Sequence, residues 1–138
     1  MGDWYDIGIT VGIGVAAGIA FAGVLAGLRF GFATTLLGAI VVGVAAGLLV
    51  NGWIGGVGGG VGAVIGSVSA AAIVRGANRR GATQGGTAFL LLGAAIVVGL
   101  LALIPVVGYL EALLMPVIAA RRARHGPDKY AGLRSLAK

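Results

Sequence analysis

No cysteine occurs in the sequence. Disulfides, thiolate metal sites and cysteine nucleophiles are therefore outside its chemistry, and the redox compartment cannot be read from it. Acids are nearly as scarce: four Asp and Glu stand against ten Lys and Arg in 138 residues. The single histidine, His125, has no recognisable nucleophile, acid or further metal ligand beside it, and it is expected to be a solvated tail residue. No acid/base pair, metal cluster or nucleophile–base pair can be assembled from the pattern, so no catalytic, cofactor or metal residue is expected and the chain does not read as an enzyme. Charged residues make up only 10% of the chain, against roughly 25% in an ordinary soluble domain. A water-exposed surface cannot be built from so few.

What fills the chain instead is apolar. Hydrophobic residues account for 59%, glycine adds 28 residues, and mean hydropathy is +1.06. An uncharged apolar run of about 18 residues or more reads as a membrane span. The opening Met1-Gly2-Asp3-Trp4-Tyr5-Asp6 is acidic and has no basic n-region, so it is not expected to act as a secretory signal. Asp6 stands where myristoylation favours Ser or Thr.

The expected fold is all-α, a polytopic transmembrane bundle of about five spans. They are Ile7–Leu28, Gly31–Val50, Gly56–Val74, Thr87–Ile104 and Val106–Ala120, with a basic tail over 121–138. The first four reach about 27–33 Å as helices, and the fifth, at about 22 Å, is short for a hydrocarbon core of about 30 Å. Pro105 divides the last two, as a hairpin turn between spans or as a kink.

Charge placement orients the threading. With the N-terminus outside, Arg29, the Arg75/Arg79/Arg80 loop and the tail arginines Arg121, Arg122 and Arg124 all fall on the cytoplasmic side. Asp3, Asp6, Trp4, Tyr5 and Trp53 stay on the other. Positive-inside bias and interfacial aromatics agree with this arrangement. Joining the last two segments into one span would separate the tail from the Arg75 loop. A re-entrant hairpin from the cytoplasmic side gives the same sidedness as two spans. The expected location is a plasma membrane of prokaryotic type, or a viral envelope derived from one.

Small residues recur at four-residue spacing in Gly8/Gly12, Gly14/Gly18, Gly23/Gly27 and Gly43/Gly47, and for longest in Gly58, Gly62, Gly66, Ala70. Such spacing lays a side-chain-free groove along one helix face, which suits close helix packing in lipid. On this pattern the third segment is expected to be the central packing helix.

Glu111 is the only acid within an apolar segment. It reads either as an ion- or proton-handling group, or as a carboxyl that snorkels outward or bonds a neighbouring helix as a neutral acid. Gly55–Gly62, Gly-Gly-Val-Gly-Gly-Gly-Val-Gly, lacks the Lys-Ser/Thr of a phosphate cradle. It reads as packing groove and loop exit, or as an unwound segment of the sort that lines ion sites. The stretch from Arg75 to Gly86 reads as a flexible cytoplasmic linker. In the tail, Tyr130, Leu133 and Leu136 recur at helical spacing after Pro127, giving a short amphipathic helix for the anionic inner leaflet. Arg79, Arg80, Arg121, Arg122 and Arg124 are the expected contacts for lipid headgroups, or for a polyanion such as nucleic acid.

The function these features favour is that of a non-catalytic structural membrane protein. It would assemble through its glycine faces as a homo-oligomer or as an accessory subunit of a larger membrane assembly, including a virion or lysis system. The alternative is a small oligomeric channel or transporter using Glu111. A membrane enzyme acting on lipids is disfavoured, because the cytoplasmic face offers only Asp128 and His125.

Overall fold

In the computed structural model, residues 3–28 and 31–124 are described, and they are helical almost throughout. Four helical runs follow one another: α1 (Asp3–Leu28), α2 (Phe32–Arg79), α3 (Gln84–Leu101) and α4 (Pro105–Arg124). The sequence signals for Arg29, His125 and the amphipathic tail helix lie outside the described residues.

The 48-residue α2 is two helices in one run. Asn51 (φ −144°, ψ 42°) and Gly52 (φ 51°, ψ −140°) leave helical geometry. Gly52 takes a left-handed value that a side chain would resist. The chain folds back there, so that Gly47 meets the backbone of Gly55, and Gly43 that of Gly59. The first half, 32–50, therefore lies antiparallel against the second, 53–79.

Among the described residues, three helices are long and apolar enough to cross a membrane: Trp4–Val24, Phe32–Arg79 and Gln84–Leu101. The 20-residue α4 is of similar length but carries Glu111 and ends in arginines.

The helix at the centre is α1, not the third segment as the glycine series suggests. It packs on all three others, whereas α2 barely reaches α3. Val15, Ala16, Ile19 and Ala22 of α1 form the core with Ala70, Leu91, Ala95 and Val98. The second half of α2 runs parallel to α1: Gly58 sits against Thr10, Gly62 against Val11, and Gly66 against Val15. α3 runs antiparallel, with Gly23 on Leu91 and Gly12 on Ala102. α4 begins beside the first turns of α1, where Gly8 meets Pro105 and Tyr109. It returns along the second half of α2, where Pro116–Ala120 face Val64–Ala72. α3 and α4 thus flank α1 and barely touch each other.

Pro105 opens α4, where its missing N–H has no helical partner to lose. Only Ala102, Leu103 and Ile104 separate α3 from α4.

Of the two readings of Gly55–Gly62, the helical packing groove fits and the unwound segment does not, since all eight residues are helical. Gly55 and Gly59 close on the first half of α2, while Gly58 and Gly62 close on α1. One expectation is corrected: the stretch after Arg75 is not a flexible linker. α2 continues through Arg79 and closes when Ala82 N donates to Ala77 O and Gly81 N to Asn78 O, each 3.1 Å. Gly81, at φ 77°, takes the left-handed position that ends helices in this way. Thr83 then caps α3, its Oγ1 accepting from Gly86 N at 3.3 Å.

Candidate functional site

Glycine contacts run through the whole bundle. A Cβ on Gly14 would meet Gly59 O; on Gly18, Ala63 O and Ser67 N; on Gly62, Val11 O; on Gly66, Val15 O. Gly43 and Gly47 close on Gly59 and Gly55 in the same way. At Gly58 the neighbour is a side chain, with Thr10 Oγ1 2.6 Å from the Cβ position. Ala70 is fully buried in the core. All eight small residues singled out for helix packing are thus in contact with other parts of their own chain. Gly8 and Gly108, on α1 and α4, make a further backbone contact of the same kind. No four-residue series marks Gly108, and the sequence reading missed it.

Large apolar residues line the outside. Leu49, Trp53, Phe89, Leu90, Ile96 and Leu113 are among the most exposed side chains. Inside and outside differ here in side-chain volume rather than in polarity. This is the pattern expected where lipid tails, rather than water, face the protein.

The buried polar groups are few, and most are satisfied locally. Thr10 Oγ1 donates to Ile7 O at 3.0 Å, Thr35 Oγ1 to Gly31 O at 3.2 Å and Thr87 Oγ1 to Thr83 O at 3.1 Å. Such back-bonding to the preceding turn leaves a hydroxyl without further demand. Asn51 Nδ2, Ser67 Oγ and both carboxyl oxygens of Glu111 are buried without a hydrogen-bond partner. Glu111 is 8% exposed. It lies three residues beyond Gly108, on the side of α4 that packs inward through Gly108, Ala112 and Met115. It therefore does not snorkel outward. Among the described residues, no three His, Cys, Asp or Glu side chains gather into a possible metal site.

Helix direction collects the cations. α2 leaves the bundle through Arg75, Arg79 and Arg80, and α4 through Arg121, Arg122 and Arg124. Because Pro116–Ala120 face Val64–Ala72, these exits lie at one end. Arg75, Arg79, Arg80, Arg121 and Arg122 are all exposed there. Arg80 folds back along its helix, its guanidinium nitrogens 3.7 and 3.8 Å from the Cβ position of Gly76. The opposite end carries Trp4, Tyr5, Trp53 and Tyr109. Trp4 and Tyr5 meet edge to face at 6.1 Å between ring centroids.

Between α2 and α4, toward the arginine end, the surface opens into a groove of about 380 Å³. Its walls are Val64, Ile65, Val68, Pro116 and small residues, with Ser69 the one polar residue. No family model, curated protein sequence or solved structure matches this chain.

Proposed function

We propose that this chain is a non-catalytic integral membrane protein of five spans, serving as a structural or accessory component of a membrane assembly. Its arginine end faces the cytoplasm and its N-terminus lies outside. The observation that carries this reading is the alternation of helix direction. α1, the second half of α2, and α4 run one way, while the first half of α2, and α3, run the other. Every described arginine then falls at one end and the described tryptophans at the other, as positive-inside bias and interfacial aromatics require. Counting the halves of α2 separately gives five crossings. A re-entrant path for residues 87–120 fits less well, because the turn at Pro105 lies beside Gly8, at the end away from the arginines.

The glycine faces hold the monomer together, since their partners are the chain's own helices. Contact with a second copy or with another subunit is assigned instead to the outer apolar faces, such as Phe89, Ile96 and Leu100 of α3. The basic end meets anionic headgroups, or an acidic partner such as nucleic acid.

The sidedness is tested by single-cysteine labelling, for which the chain needs no background substitution. Arg79→Cys and Arg122→Cys are expected to resist a membrane-impermeant maleimide in intact cells, and Trp53→Cys to react. Labelling of positions 79 and 122 from opposite sides would defeat the threading.

One observation favours a second reading, a small oligomeric channel or transporter: the buried, unpartnered carboxyl of Glu111. Ionisable groups held at membrane depth mark ion and proton paths. Flux in proteoliposomes that Glu111→Gln abolishes would establish this reading in place of the first.

A further inference from the structure

We infer that the groove between α2 and α4 binds one acyl chain of an anionic phospholipid, whose phosphate rests on Arg80 and Arg122. The inference goes beyond the structural role proposed above, and it rests on the same membrane placement.

Three observations converge on this site. The first is shape. Val64 to Ala72 covers about 12 Å of helix axis, most of one leaflet of a hydrocarbon core about 30 Å thick. The groove opens at the bundle surface, and Ala119 and Ala120 of α4 line it together with Ala72 of α2. Short side chains on both helices leave space that leucines would close. Pro116, in the wall, adds no bulk beyond its ring.

The second observation is chemistry. Ser69 is the one polar lining residue, and it is 3% exposed. A water-filled or ion-conducting groove would leave its water unsatisfied along these walls. A hydrocarbon chain makes no such demand.

The third is charge at one mouth only. Gly76 stands one turn beyond Ala72 on the same face of α2, and the Arg80 guanidinium lies over it. Arg122 stands three residues beyond Ala119 on α4. The two helices that wall the groove therefore each place an arginine just past its end. Arginine forks match phosphate oxygens bidentately.

The test uses the full chain, purified in mild detergent, in native mass spectrometry with phosphatidylglycerol and phosphatidylcholine of identical acyl chains. One phosphatidylglycerol is expected to be retained in preference to phosphatidylcholine. Arg80→Gln with Arg122→Gln is expected to weaken phosphatidylglycerol by about 25-fold, roughly fivefold for each cation removed, and to weaken phosphatidylcholine far less, because its own ammonium offsets its phosphate charge. Ala72→Leu with Ala119→Leu fills the groove and is expected to weaken both lipids by about tenfold or more. Soluble glycerol phosphate is expected not to compete. Unchanged phosphatidylglycerol retention in either double variant would overturn the site, and so would competition by glycerol phosphate. The rim pair lies on the surface, so it decides the matter even if the filled groove prevents folding. Recovery of the protein in the aqueous fraction without detergent would overturn the membrane placement and the lipid site together. Loss of lipid selectivity alone would leave the placement standing.

Discussion

The phenol of Tyr109 donates a 2.7 Å hydrogen bond to the main-chain carbonyl of Trp4, 105 residues away. It ties the first turn of α4 to the first turn of α1, and it lies against Gly8, where a Cβ would strike the Tyr109 ring and the Pro105 backbone. Tyr109→Phe keeps the ring contact and deletes the bond. The expected loss is about 0.5–1.5 kcal/mol in denaturant or thermal unfolding of the detergent-solubilised protein. An unchanged midpoint would mean that the bond contributes nothing to the packing of α4.

Two glycines in helix interiors should respond in opposite ways to the same change. At Gly62 a Cβ would collide with Val11 O and Val15 N, whereas at Gly93 nothing lies within 4 Å. Gly62→Ala is expected to destabilise by about 1–3 kcal/mol, as overpacking does. Gly93→Ala is expected to be neutral, or to stabilise by about 0.5–1 kcal/mol through helix propensity. Equal unfolding midpoints for the two variants would contradict the backbone-to-backbone packing of α1 on α2.

Gly52 has open space around it but a backbone that only glycine adopts readily. Gly52→Ala therefore tests conformation without a clash. A cost of about 1–3 kcal/mol is expected, visible as a lower melting temperature. A variant as stable as the parent would show that the break between the halves of α2 does not require this geometry.

The Glu111 carboxyl costs stability where it stands, because neither oxygen is hydrogen-bonded. Glu111→Met removes the polar atoms and keeps a flexible chain of similar length. It is expected to raise stability by about 1–3 kcal/mol. A lower melting temperature would reveal a partner for the carboxyl. Stabilisation together with loss of flux in proteoliposomes would mark Glu111 as a residue held for transport at the expense of folding.

Much of this fold was legible because polar residues and proline punctuate it. The apolar runs, the turn at Pro105 and the break near Asn51 each follow from a polar or imino residue interrupting hydrophobic sequence. The identity of the central helix did not follow. In lipid, a helix is as apolar outside as inside, so hydropathy does not show which face is buried. Four-residue glycine spacing finds packing faces but not what they meet, and so Gly58, Gly62 and Gly66 pointed to the third segment when their partner, α1, holds the centre. The length of α4 was hidden for a different reason. Arg121, Arg122 and Arg124 end the hydrophobic run, yet arginine is a good helix former and cations suit a helix C-terminus, so the helix continues through them. Glu111 drew notice as a lone acid among apolar residues; its burial depended on Gly108 drawing α4 onto α1, which no spacing rule announces.

The two-residue joint at Asn51–Gly52 also bears on the order in which the bundle forms. With Gly47 and Gly55 touching one turn from the joint, the halves of α2 close only a short loop when they pair, and the entropy lost in closing it is small. Their glycine contacts should therefore form ahead of the tie between Tyr109 and Trp4, which has to close a loop of 105 residues.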